Sequence, residues 1–181
     1  MKLQVDAVDG PSRPDGYISE EMAVADGLIE FISFSIGADQ YGVDIMSVRE
    51  IKGWSEVTHL PKQPEYVRGV LNLRGVMVPI IDLRCRFGEG ITETSPMHVV
   101  IVIQIGERLL GLLADRVLDI VSFDRTKIQP VPKISNTTQA DFLSGLITID
   151  NAMIALIDLN HLLTSDGSDI EALVKPASLA A

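Results

Sequence analysis

The chain carries the same run of residues twice, and this repeat restricts its fold more than any other feature. Residues 32–51 (ISFSIGADQYGVDIMSVREI) align without a gap on residues 101–120 (IVIQIGERLLGLLADRVLDI). Six of 20 positions are identical: Ile32/Ile101, Ile36/Ile105, Gly37/Gly106, Gly42/Gly111, Val48/Val117 and Ile51/Ile120. Farther on, residues 69–83 (GVLNLRGVMVPIIDL) match 145–159 (GLITIDNAMIALIDL) at five of 15, and both end in Ile-Asp-Leu. The order is the same in each half: hairpin, polar connector with proline, Gly-led strand, turn, strand, short helix. Hairpins resemble one another, so one match means little, but two collinear matches point to a duplicated small barrel. A half of about 65 residues is too small to bury an adequate core, so the halves must complete each other. Strands can be exchanged between them.

The local signals agree with an all-β chain. Phe31–Ile36 is β-branched and aromatic, Gly37–Gln40 reads as a turn, and Tyr41–Ile45 resumes the alternation. Val99–Ile105, Gly106–Arg108 and Leu109–Ala114 repeat that grammar. Helix signals are short. Pro64–Val67 has proline in a first-turn position and Gly69 just beyond. Asp158 can cap one or two turns ending at Leu163. Short strands between Gly/Pro turns favour barrels or sandwiches over βαβ units.

Charge separates a folded middle from its ends. Residues 1–27 hold Lys2 and Arg13 against six acids and include Gly10-Pro11-Ser12-Arg13-Pro14-Asp15-Gly16. They read as an acidic tail, with at most a helical turn near Glu20–Ala25. The expected folded domain spans 28–165, with halves at about 28–90 and 98–163. A second tail, 166–181, has a helix candidate at Ile170–Val174. The net charge of −10 opposes binding to a polyanion. One cysteine excludes an internal disulfide framework and fits a reducing cytoplasm. No apolar run reaches the roughly 18 residues of a membrane span, and the first residues lack the apolar core of a secretory signal.

Groups for catalysis are scarce. His59, His98 and His161 have no metal-type spacing with one another or with Cys85. Arg84 and Arg86 flank Cys85 and are expected to lower its pKa, but no base is paired with it in the sequence. Gly37 and Gly42 have phosphate-loop spacing without the Gly-Lys-Ser/Thr ending. Asn136-Thr137-Thr138 is a formal sequon. What stands out is charge: residues 49–86 carry Arg49, Lys52, Lys62, Arg68, Arg74, Arg84 and Arg86 against four acids. This strip reads either as a solvated face or as an electropositive patch that steers an acidic partner. Arg74, beside Gly75 at a turn, offers a planar donor fork at little entropic cost. Glu50 lies between Val48 and Ile51, as an edge or an interface carboxylate would.

At these residues the sequence resembles the CheW family of bacterial chemotaxis coupling proteins. The matching strings are Tyr41–Ile45, Val48–Ile51 and Val67–Arg84, with Gly111–Val117 in the second half. The likeness covers about residues 29–163. It implies two five-stranded, SH3-like β-barrels on a shared core, with no catalysis, cofactor, metal or small-molecule substrate. It implies a cytoplasmic adaptor recruited to membrane receptor arrays. Its partners would be the cytoplasmic tip of a methyl-accepting chemoreceptor and the regulatory domain of the histidine kinase CheA. By this resemblance, the receptor's helical hairpin would contact Ile45, Glu50, Ile51, Arg68, Arg74 and Val117. The kinase would meet Val48, Val99, Val100 and Ile120. A ring-assembly contact would use Gln129 and Ile134, where the family often has a basic and an aromatic residue. Ala114 replaces a bulkier aliphatic usual in the family. Three alternatives stay open on the sequence: a scaffold for a non-motility pathway, a small-barrel nucleic-acid binder using the 49–86 strip, and a hydrolase built on Cys85. The nine aromatic residues are too few for a base-stacking platform.

Overall fold

The computed structural model describes residues 27–133 and 138–164. The first repeat supplies β1 (Leu28–Ile36), β2 (Asp39–Asp44), β3 (Val48–Gly53), β4 (Val67–Leu73), β5 (Val76–Asp82) and helix α1 (Leu83–Arg86). The second supplies β6 (Val99–Ile105), β7 (Arg108–Ala114), β8 (Arg116–Asp124), β9 (Leu143–Ile149), β10 (Ala152–Ile157) and helix α2 (Leu159–Thr164). The halves exchange strands. One sheet runs β8-β1-β2-β10-β9 and the other β3-β6-β7-β5-β4. Each hairpin that opens a repeat is therefore completed by the last three strands of the other repeat.

Each sheet curls back on itself through the chain that follows its first-ordered strand. Thr58, beyond β3, exchanges two backbone hydrogen bonds of 2.9 and 2.8 Å with Val70 of β4. Gln129, beyond β8, makes the same pair of 2.9 Å bonds with Leu146 of β9. Val70 and Leu146 are equivalent positions of the repeat, and the glycine preceding each explains why the repeat keeps it. A Cβ on Gly69 would stand 2.3 Å from the Thr58 carbonyl oxygen, and one on Gly145 would stand 2.5 Å from Ile128 Cγ2. Only glycine lets the closing segment approach so closely.

Alternation along the strands sorts the apolar residues into three clusters. Ile32, Phe34 and Ile36 of β1 meet Ile101 and Ile103 of β6 and Leu110 and Leu112 of β7 in a core shared by both sheets. The intervening Val100 and Val102 point into the second barrel, with Leu73, Val78, Ile80 and Leu113. Phe31, Ile147, Ile154 and Leu156 fill the first barrel. The central strands are thus buried on both faces, as their unbroken apolar runs require. Ala114, only 2% exposed, sits in the shared core, where its small volume is accommodated. Tyr41 stacks between Phe34 (6.0 Å) and Phe87 (5.0 Å), and burial, with Glu89 and Asp39 nearby, pushes its phenol up to about 12.

Two local expectations change and one stands. Pro64 begins a turn closed by the Val67 amide on its carbonyl (2.9 Å), not a helix. Val67 opens β4 because its side chain is drawn into the shared core. The turn between β1 and β2 shrinks to Gly37 and Ala38. The Asp158 carboxylate caps α2, accepting from the His161 amide at 3.0 Å. Its repeat-mate Asp82 caps α1 on the Cys85 amide at 3.3 Å. Both terminal tails, the helical turns expected in them, Ile134, Asn136 and Thr137 lie outside the described residues.

Candidate functional site

The β4–β5 hairpin turns on two residues, Arg74 and Gly75, with φ of 51° and 87°. Positive φ at both positions marks a type I′ turn, which prefers asparagine, aspartate or glycine first. The equivalent β9–β10 turn obeys this preference with Asp150 and Asn151, at 49° and 65°. Arg74 does not. The Asn72 carboxamide stabilises the bend by accepting from the Gly75 amide at 2.8 Å.

A second irregularity presents Glu50. The β3–β6 register shifts between Val48 and Glu50, so Arg49 bulges from the ladder and the alternation of β3 is re-aimed. The same shift recurs in β8 opposite Ser33 and Phe34, at Leu118, the repeat-mate of Arg49. Glu50 and Arg74 thereby meet as an ion pair, with Arg74 82% exposed and Glu50 26% exposed. Beside them lies a groove of about 250 Å³, lined also by Arg49, Leu73, Val76, Gln104 and Leu109. Arg49 donates to Gln104 across the strands. Sequence reasoning missed Gln104, Val76 and Leu109. The only available signal was Val-Arg-Glu-Ile recurring as Val-Leu-Asp-Ile in the second half.

The other expected receptor contacts are not lining residues of this groove. Ile51 is exposed on β3, two-fifths accessible. Ile45 lies in a 3-10 turn whose Met46 amide is capped by Asp44 at 2.9 Å; it and Val117 are half-buried against the shared core. Arg68 is six residues from Arg74 along β4, about 20 Å at the rise of a strand. There it faces the Asp82 carboxylate at 3.9 Å. Of the expected kinase contacts, Ile120 is exposed and Val48 and Val99 are half-buried on the shared core. Val100 must be corrected. It is 1% exposed, because neighbouring residues in a strand face opposite ways and Val100 points into the barrel. Gln129 is exposed, and its backbone is engaged in the barrel closure.

The basic strip does not persist as one patch. Arg74 pairs with Glu50, Arg84 with Asp115 at 3.1 Å, and Arg68 with Asp82. Arg86 is buried, its guanidinium over the Tyr66 and Phe142 rings at 4.3 and 4.6 Å. The expectation for Cys85 reverses. Burial is the main influence and raises its pKa, Asp82 and Glu65 add to the rise, and Arg68 and Arg86 oppose it less strongly. Such a thiol is a poor nucleophile at neutral pH.

Ser95, His98 and Asp115 superficially have the order of a hydrolytic triad: Ser95 Oγ is 3.0 Å from His98 Nδ1 and Asp115 is 3.4 Å from Nε2. The chemistry differs. His98 Nδ1 accepts the Ser95 backbone N–H at 3.0 Å, and Ser95 Oγ accepts from the Met97 amide at 3.3 Å. Both atoms are committed to shaping a turn. Asp115 holds that turn to Arg84 and to the Gly37 amide (2.7 Å). Among the described residues no three or more His, Cys, Asp or Glu gather as metal ligands. No described helix is long and apolar enough to cross a membrane.

Comparison with known proteins places this geometry in context. The family model for the CheW-like domain matches residues 30–167. A probable chemotaxis protein CheW of Rhizobium etli is 44% identical over 140 residues, which is 77% of this chain and 90% of that protein. The chemotaxis protein CheW of Klebsiella aerogenes is 39% identical over 137 residues, 76% of this chain and 82% of that one. Among solved structures, the scaffolding protein TtCheW of Thermoanaerobacter tengcongensis superposes with a TM-score of 0.70 at 32% identity, covering 78% of this chain and 91% of its own.

Proposed function

The chain belongs to the CheW family, and on that premise we propose that this chemotaxis scaffold joins the cytoplasmic tip of a methyl-accepting receptor to the regulatory domain of the kinase CheA. It works in the cytoplasm at membrane receptor arrays, by contact and without catalysis.

The observation that carries this reading is Arg74. A non-glycine residue in the left-handed region costs of the order of 1 kcal/mol, yet this turn keeps an exposed arginine where its repeat-mate has aspartate. That strain holds a guanidinium fork rigidly above a carboxylate and an apolar groove. A helical hairpin can seat aliphatic side chains in such a groove while a polar residue engages Arg74. In this reading, Glu50 and Arg74 fix register, Ile51, Ile45 and Val117 extend the apolar contact, and Arg68 marks its far end. Ile120, with the edges of Val48 and Val99, forms the kinase-facing surface, and Gln129 and Ile134 remain a candidate ring contact.

Arg74→Glu tests the assignment. It should leave the far-UV spectrum and melt unchanged within error while abolishing co-sedimentation with receptor-containing membranes. Full retention on the membranes would remove the groove from the receptor contact.

A further inference from the structure

A second groove, outside the surfaces above, lies where β3 runs out. It has a volume of about 630 Å³ and is lined by Trp54, Ser55, Glu56 and Val57 on one side and Thr94, Ser95 and Pro96 on the other. Its floor is held by the Trp54 amide donating to the His98 carbonyl at 2.8 Å. Trp54 is half-buried, packed on the second barrel's core, so its indole is an immobilised platform. Glu56 is exposed and is the only charged residue lining the groove. A fixed tryptophan, small hydroxyl side chains and one carboxylate suit a short proline-rich segment. Two prolines spaced by two residues lie on one side of a polyproline II helix and pack on the aromatic plane, while a cation engages the acid.

The chain itself contains such a segment. Pro11-Ser12-Arg13-Pro14 has the spacing, and Arg13 has the charge. We propose that the Trp54 groove is the docking site of the chain's own Pro11–Pro14 segment, with both prolines on the indole and Arg13 on Glu56.

The tether permits it. Thirteen residues separate Pro14 from Gly27, a reach of up to about 45 Å. A folded part of roughly 135 residues has a radius of gyration near 14 Å and is about 37 Å across, so every point on its surface is accessible. Tethering at this length supplies an effective concentration in the millimolar range, enough to populate a contact that would be weak between separate molecules. A docked segment would lie about 10 Å beyond Ile51 on the same strand, at the border of the proposed binding surface.

Trp54 is the only tryptophan, so intrinsic fluorescence of the full chain reads the groove directly. Four forms should be compared with the parent: Pro11→Ala with Pro14→Ala, Arg13→Glu, Glu56→Arg, and Arg13→Glu with Glu56→Arg. The first three should shift emission to the red and raise the acrylamide quenching constant, with melting temperatures unchanged. The charge-swapped pair should return toward parental emission and quenching. Indistinguishable emission and quenching in all five proteins would overturn the proposal. So would a response only to an added Pro-Ser-Arg-Pro peptide and none to changes in the tail, because the groove would then serve a partner. The readout needs neither receptor nor kinase, so it stands or falls apart from the adaptor reading.

Discussion

Replacing Arg74 by asparagine separates stability from binding, because the structure gives the two effects opposite signs. At φ = 51° arginine bears a left-handed penalty of about 1 kcal/mol or slightly more. Asparagine tolerates that conformation, and Asn-Gly is the favoured pair for a type I′ turn. The substitution also removes the pair with Glu50. That pair is largely solvated, with Arg74 82% exposed, so its loss costs no more than about 0.5 kcal/mol. The balance is a gain near 0.5 kcal/mol, which for a folded part of this size raises Tm by about 2 °C. Receptor binding should move the other way. An arginine at the centre of a contact contributes about 2 kcal/mol or more, so affinity should fall about 30-fold. Calorimetry and co-sedimentation on one protein preparation read both quantities. A Tm lowered by several degrees would mean that the ion pair outweighs the turn strain, and the energetic argument for a displayed arginine would fail. A raised Tm with unchanged binding would leave the strain without a role in receptor contact.

Three further substitutions examine the scaffold. Gly69→Ala forces a Cβ to within 2.3 Å of a backbone oxygen at φ = 141°, so denaturant titration should show a loss of about 3 kcal/mol or more. Gly75→Ala, at φ = 87° with nothing within 4 Å, should lose only about 1 kcal/mol; equal losses would disprove that Gly69 is needed for closure. Asp82→Ala should cost about 3 kcal/mol, since the fully buried carboxylate accepts from the Thr92 amide (2.8 Å) and hydroxyl (2.7 Å). The equivalent Asp158→Ala, at a half-exposed cap, should cost about 1 kcal/mol, and thermal melts would expose a reversed order. Val100→Asp should unfold the chain while Ile120→Asp folds and weakens kinase pull-down; a folded Val100→Asp protein would contradict the barrel interior described above.

Cys85 offers a pH test with a defined sign. Its raised pKa means that the folded state disfavours the thiolate. Alkylation by iodoacetamide should therefore be slower than that of a free cysteine at pH 7.5 and should accelerate only above the ordinary thiol range. The linked stability is fully present below the unfolded pKa and is lost as pH rises through it, because the unfolded chain gives up the proton first. Alkylation as fast as in a denatured control would show that burial does not govern this thiol.

The sequence by itself determined what depends on a few consecutive residues. Alternation in Val99–Ile105, the Arg74-Gly75 reversal, the Asp158 cap and the twofold repetition were all legible, because turn chemistry and the period of a strand act over short spans. The Glu50–Arg74 pair was expected through family likeness, and no local rule predicted the bulge at Arg49 that lets the two meet. Tertiary structure alone decided which strands complete which barrel. Either half's last three strands have the apolar faces to finish either hairpin, and the choice falls to the exchange that fills a shared core and two interiors at once. It also settled what neighbourhood in sequence misrepresented: Val99 at the core's rim with Val100 inside, Arg86 stacked on rings from both halves, and a thiol raised by burial despite flanking arginines. Burial and charge depend on distances through space, and in a chain that trades strands between its halves those distances are set by residues far away along it.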